Sequence, residues 1–193
     1  MKSMKSFSAL DIINRVIDES VHEGDICIDA TAGRGNDTLH LCRLVGDSGR
    51  VAAFDIQQDA VDSTGELLEK HGMSHRADIY LRSHSEMDEM FEENSVSFIT
   101  FNFGWLPKGD HNIFTQKETS IAAIEKGLKL LKNGGIMSLI IYYGRETGFE
   151  ERDALLEYLP TIDSRMYTVV EMPFVNRPNC PPIPIIIIKD PCI

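Results

Sequence analysis

From residue 29 to 38 the chain reads Asp-Ala-Thr-Ala-Gly-Arg-Gly-Asn-Asp-Thr, and a second carboxylate, Asp55, ends the apolar run "VAAFD" twenty residues past Gly35. Gly33 and Gly35 let the backbone turn sharply and come close to a ligand. A helix opening at Asn36 or Asp37 then offers unpaired N–H groups and a positive dipole end to an anionic group. Asp55 sits at the offset from which a carboxylate accepts both hydroxyls of a ribose. Loop and carboxylate together indicate a cofactor of the adenosine type. A nicotinamide site usually continues to a third glycine, as G-x-G-x-x-G; here that position is Thr38, and an acid, Asp29, stands just before the loop. The departure disfavours a nicotinamide cofactor and leaves a dehydrogenase as a distant reading.

The spacing acid, x, small residue, x, Gly, x, Gly, carried by Asp29, Thr31, Gly33 and Gly35, resembles motif I of class I S-adenosylmethionine-dependent methyltransferases. That resemblance implies a loop against the methionine moiety of the cofactor, Asp29 near its ammonium group and Asp55 on the ribose. The second unusual stretch is "ITFNFGWLPKGDH", residues 99–111, in which an apolar strand ends on Asn102 and is followed by a glycine, Trp105 and a charged cluster. Asn102-Phe103-Gly104-Trp105 resembles the Asn/Asp-Pro-Pro-aromatic motif of amino-directed methyltransferases. In that motif the amide oxygen and a nearby backbone carbonyl accept hydrogen bonds from the target amine, and the aromatic ring stacks on the ring that bears it. An attacking amine must aim its lone pair along the carbon–sulfur bond, and two acceptors with a stacking surface fix that direction. Neutral acceptors also hold the amine in its charged, non-nucleophilic form less strongly than a carboxylate would.

These residues need a scaffold, and the chain alternates in a way that supplies one. Apolar residues Leu10, Ile13, Val16, Ile17 and Val21 recur at helical spacing before the short buried run "ICIDA". The spacing predicts strands near 25–30, 50–55, 77–82, 95–102, 135–143, 166–174 and 184–189, and helices near 8–22, 37–46, 57–71, 84–92, 116–132 and 148–159. Short apolar strands without alternation are covered on both faces, so the expected fold is α/β, one doubly wound, mostly parallel seven-stranded sheet in a single domain spanning 1–193. "MYTVVEMPF" and "IPIIIIK" have no helix between them and should pair antiparallel through "VNRPNCPP". Counting strands puts the fourth beside the first at the switch point, which turns Asn102 into the ligand crevice.

The segments "DATAGRGNDT", "AFDIQ", "FNFGWLPKGDH", "IIYYG" and "FVNRPNCPP" occur in the order found in the small bacterial YtqB/MnmM family, long described as rRNA methylases, and the similarity runs through nearly the whole chain. The resemblance implies methylation of the amine of 5-aminomethyl-2-thiouridine at the tRNA wobble position, in the anticodon loop. It implies a cofactor set of Gly33, Asn36, Asp55, Gln57 and His84, to which motif I adds Asp29, Thr31, Gly35 and Asp37. Asn102 is then the transfer point, with Trp105 and Asp110 beside it. Lys108, His111, Tyr143, Arg145, Asn176 and Asn179 fall on the substrate side. Family members usually have Asn in place of Arg34, and Tyr/His-Gly-His in place of Tyr143-Gly144-Arg145. Arg145 is a permanent cation suited to a phosphate. Asp110 or His111 could take a proton from the substrate ammonium, as could water. Of Tyr142 and Tyr143, one should face the crevice and the other turn away.

Composition bounds the alternatives. A net charge of −11 argues against a general nucleic-acid coat, since Lys and Arg supply most non-specific binding. Methylation of rRNA or of a small amine is the alternative to tRNA, and the charge keeps the small molecule open. A cofactor-binding protein without turnover is the non-enzyme reading. Cys27, Cys42, Cys180 and Cys192 show no C-x-x-C or metal-finger spacing, so no disulfide framework and no metal are expected. The start has no apolar region behind its lysines, and "IPIIIIK" is too short to span a bilayer, so a cytoplasmic protein with no membrane partner is expected. A homodimer is the one assembly considered.

Overall fold

The computed structural model describes residues 7–104, 117–144 and 146–191. Its first helix, α1 (Ala9–Ser20), opens on a reciprocal cap: Ser8 Oγ accepts from Asp11 N–H at 3.1 Å, and Asp11 Oδ2 accepts from Ser8 N–H at 2.7 Å. Ala9, Ile13 and Ile17 line its buried stripe. There follow β1 (Ile26–Asp29), α2 (Asn36–Val45), β2 (Arg50–Asp55), α3 (Gln58–Lys70), β3 (Ala77–Leu81), β4 (Val96–Phe103), α4 (Lys117–Leu130), β5 (Leu131–Ile141), α5 (Glu146–Tyr158), β6 (Tyr167–Glu171) and β7 (Ile183–Lys189).

The strands form one sheet in the order β3-β2-β1-β4-β5-β7-β6. Pairing is parallel from β3 through β5, and β7 inserts antiparallel to both β5 and β6. The doubly wound sheet and its antiparallel last strand are as expected. Residues from α1, α2 and α3 cover one face, among them Ile17, Leu41 and Leu68, while Ile124 and Leu155 of α4 and α5 cover the other. Both faces are dry because β1, β2 and β4 carry apolar side chains on each side, from Ile28 and Phe54 to Phe98 and Phe101. The switch point lies between β1 and β4, whose carboxyl ends open side by side.

Three boundaries differ from the expected ones. Residues 84–92 do not form an α-helix; His84–Glu89 is a 3-10 segment, capped by Ser83 and braced by Arg82, which bonds Glu86 at 2.8 Å and Glu89 at 2.6 Å. β5 begins at Leu131, before the glycine pair, with an irregularity opposite Val96 and Phe98. β6 stops at Glu171: Met172 N–H still reaches Pro184 O at 3.0 Å, but Pro173 has no N–H with which to continue the ladder. Among the described residues no helix is long and apolar enough to cross a membrane, and no three His, Cys, Asp or Glu side chains are grouped to hold a metal ion.

Candidate cofactor and methyl-transfer site

Residues 30–35 bridge the carboxyl end of β1 to α2 and are stitched to both neighbouring strands. Ala30 N–H donates to Thr100 O and Ala32 N–H to Phe54 O, each at 2.9 Å. Gly33 (φ 54°) and Gly35 (φ 78°) are left-handed, the region glycine enters without penalty. A Cβ on Gly35 would stand 2.9 Å from Thr64 Cα and 3.1 Å from its Oγ1 on α3. Gly35→Ala therefore meets both strain and a clash, and is expected to destabilise the fold by about 1–3 kcal/mol. A thermal midpoint equal to that of the parent protein would contradict this account.

Asp55 accepts Gly33 N–H at 3.0 Å on one oxygen and Gln57 N–H at 2.9 Å on the other. The carboxylate is thus fixed from two sides and keeps lone pairs for further donors, which suits a vicinal diol. Asp29 is fully buried. Its oxygens accept from Thr31 N–H at 3.2 Å and from Thr38 Oγ1 at 2.6 Å. Burial and the charge of Asp37 push its pKa up to about 7. Asp37, in the first turn of α2, is also shifted upward by burial, against the hydrogen bond from Asn102. Arg34 turns away to Ser63 Oγ at 2.9 Å on α3, and Asn36 is exposed at the helix start.

His84 closes the site from β3's side. Its Nδ1 lies 3.1 Å from Ala30 O, and its ring meets Phe101 and Phe103 edge-on with centroids 5.7 and 6.2 Å apart. Burial lowers its pKa. A neutral ring donating from Nδ1 leaves Nε2 a lone-pair acceptor, and that atom is buried with no hydrogen-bond partner among the described residues. An orphaned acceptor, a doubly braced Asp55 and the buried Asp29 beside a helix amino end make a set that fits S-adenosylmethionine, which brings hydroxyls, an ammonium, a carboxylate and an adenine.

At the tip of β4, Asn102 N–H donates to Thr31 Oγ1 and Asn102 Nδ2 donates to Asp37 Oδ2, both at 2.7 Å. Thr31 and Asp37, expected as cofactor contacts, thus both hold Asn102. Phe103 O accepts Tyr142 N–H at 3.0 Å, so this carbonyl is directed along the sheet to β5. Tyr142 is the tyrosine that faces the site: its Cβ lies 3.0 Å from where Gly104 would carry one, and Asp37's charge adds to burial in raising its pKa. Tyr143, expected on the substrate side, packs toward α5: its ring meets Phe149 at 5.8 Å and carries the Arg152 guanidinium on its face at 4.8 Å. Alternation past the β5 irregularity decides between the two, and only the register shows it.

The β6–β7 connection carries Asn176 and Asn179, both exposed, and returns to the crevice where Cys180 Cβ would stand 3.9 Å from a Cβ on Gly144. Trp105, Lys108, Asp110, His111 and Arg145 lie outside the described residues. Sequence reasoning passed over Thr38 except as a missing glycine; its hydroxyl beside an acid one helical turn past the loop was the available signal.

A family model described as "Putative rRNA methylase" matches residues 51–188. An Arabidopsis thaliana protein named tRNA (mnm(5)s(2)U34)-methyltransferase, chloroplastic, is 34% identical over 182 residues, covering 90% of this chain and 66% of the plant protein, a little under two thirds of its length. The crystal structure of a putative rRNA-methylase from Clostridium thermocellum superposes with a TM-score of 0.93 at 41% identity, over 96% of this chain and all (100%) of that one. A putative methyltransferase from Streptococcus mutans, crystallised in complex with SAH, gives a TM-score of 0.85 at 31% identity over 97% of this chain and 99% of its own.

Proposed function

This chain belongs to the family described as putative rRNA methylases and is an S-adenosylmethionine-dependent methyltransferase; from that premise we propose that it methylates the aminomethyl nitrogen of a modified wobble uridine in tRNA. The reaction would convert 5-aminomethyl-2-thiouridine to its methylaminomethyl form. The observation that carries the reading is the orientation of Asn102, whose Nδ2 is engaged by Asp37 so that the amide oxygen is the end left for an N–H donor. A neutral acceptor at the switch point suits an amine nucleophile. The plant relative's name supports tRNA as the carrier of that amine.

When bound, S-adenosylmethionine supplies an electrophilic methyl group on a sulfonium centre. Asp55 and His84 would hold its adenosine half, and the loop from Asp29 to Gly35 its methionine half. Asn102 Oδ1 would orient the substrate nitrogen at the carboxyl tip of β4. Transfer of labelled methyl to tRNA lacking the terminal methyl tests the reading. Label entering rRNA or a small-amine pool in place of that tRNA would overturn the tRNA assignment.

A pH dependence follows from Asp29. An ammonium beside it favours the ionised carboxylate, whose pKa of about 7 in the free protein is raised by burial and Asp37. Cofactor binding should then release a proton near neutrality, and affinity should strengthen as pH rises from about 6 through about 7. Titration calorimetry with S-adenosylhomocysteine, run in buffers of different ionisation enthalpy, measures that proton; its absence would place the ammonium elsewhere.

A further inference from the structure

Asp37 stands in the first turn of α2, 2.7 Å from Asn102 Nδ2, while Thr31 Oγ1 fixes the Asn102 backbone from the other side. A side-chain amide has one donating and one accepting end, and an ionised carboxylate can only accept. Contact with Asp37 therefore decides which end of Asn102 faces which way. Asp37 Oδ2 selects the NH2 group, and among the described residues nothing occupies the amide oxygen. We propose that Asp37 is a positioning residue of the methyl-acceptor site, locking Asn102 with Oδ1 toward the incoming amine, and not a ligand of the cofactor. This inference rests on the reading that Asn102 is the point of methyl transfer.

The groups that face Asp37 agree with such a role. Asp29 approaches from β1, Asn102 from β4 and Tyr142 from β5, with His40 on its own helix. Two carboxylates behind one acceptor oxygen make a site that draws a group with several N–H donors and a positive charge. A primary alkylamine arriving as its ammonium meets that description; a hydroxyl or a ring nitrogen does not. The helix amino end favours the negative charge on Asp37, which burial and Asp29 oppose.

Asp37→Asn is the sharp test, because asparagine can donate as well as accept and so releases the choice of amide orientation. Turnover of tRNA lacking the terminal methyl is expected to fall about 10- to 100-fold, with affinity for S-adenosylhomocysteine within about twofold of the parent. The thermal midpoint should hold or rise, since one of two neighbouring buried acids loses its charge, whereas a merely structural residue would lower it. In a double-mutant cycle, Asp37→Asn combined with Asn102→Ala should be about as slow as Asn102→Ala alone. Parent-like turnover of Asp37→Asn, a tenfold or greater loss of S-adenosylhomocysteine affinity, or multiplicative effects in the cycle would each overturn the proposal. A slow Asn102→Ala beside a fast Asp37→Asn sinks this inference alone; a fast Asn102→Ala sinks the functional reading with it. If Asp37→Asn does not fold, Asp37→Ser carries the same expectations through the same cycle.

Discussion

Replacing Asp55 with alanine is expected to weaken binding of S-adenosylmethionine and S-adenosylhomocysteine by about 100-fold or more. A hydrogen bond to a charged group contributes about 1.5–3 kcal/mol, and a ribose can donate two to one carboxylate, so the summed loss reaches that range. A second effect adds to it. Asp55 accepts Gly33 N–H and Gln57 N–H, and its removal frees the glycine loop from β2 as well as deleting the proposed ribose contact. Asp55→Asn separates the two contributions: its amide keeps one acceptor but turns a donor toward one of those N–H groups, and affinity should fall between the parent and the alanine variant. Titration calorimetry gives the constants, and circular dichroism checks that the sheet is intact. A loss of less than about threefold in a folded Asp55→Ala protein would remove this carboxylate from the cofactor site.

The place of Asp55 beside the glycine loop was legible in sequence because its signal is local: a strand that ends in an acid at a fixed offset from that loop. The seven strands were legible for the same reason, each being a short apolar run bounded by turn residues. What escaped were contacts made across the fold. Thr38 reaches back from α2 to Asp29 on β1, and Asp37 reaches across to Asn102, 65 residues later; neither spacing has a meaning until α2 is laid over β1 and β4. The choice between Tyr142 and Tyr143 depended on the register of β5, which an irregularity near its start resets. His84 was expected on a helix, and its Nδ1 contact to Ala30 instead belongs to a tight 3-10 segment held by Arg82. In each case residue type was informative and partner identity was not.

Asn102→Ala should lower turnover by about 100- to 1000-fold while leaving S-adenosylhomocysteine affinity within about twofold, a separation that follows from where the residue sits. It stands at the carboxyl tip of β4, half-buried, with its backbone held by Thr31 and its amide by Asp37; the bonds that brace Asp55 come from Gly33 and Gln57 and do not involve it. Fixing a nucleophile in line with the bond it breaks is worth several kcal/mol, and loss of one well-placed polar group at a reacting centre lowers turnover by about 10²–10³. The alanine variant also removes the donor that holds Asp37 ionised, so the Asp37 pKa should climb further under burial. Asn102→Asp makes the complementary case. It would set a third carboxylate where Nδ2 now lies 2.7 Å from Asp37, and the two acids would have to share a proton to remain in contact. That variant should match or exceed the alanine variant in lost turnover near neutral pH, and should recover part of it as the pH falls and the shared proton is restored. Single-turnover methyl transfer across pH measures both; turnover of Asn102→Ala within about threefold of the parent would move the acceptor site away from the tip of β4.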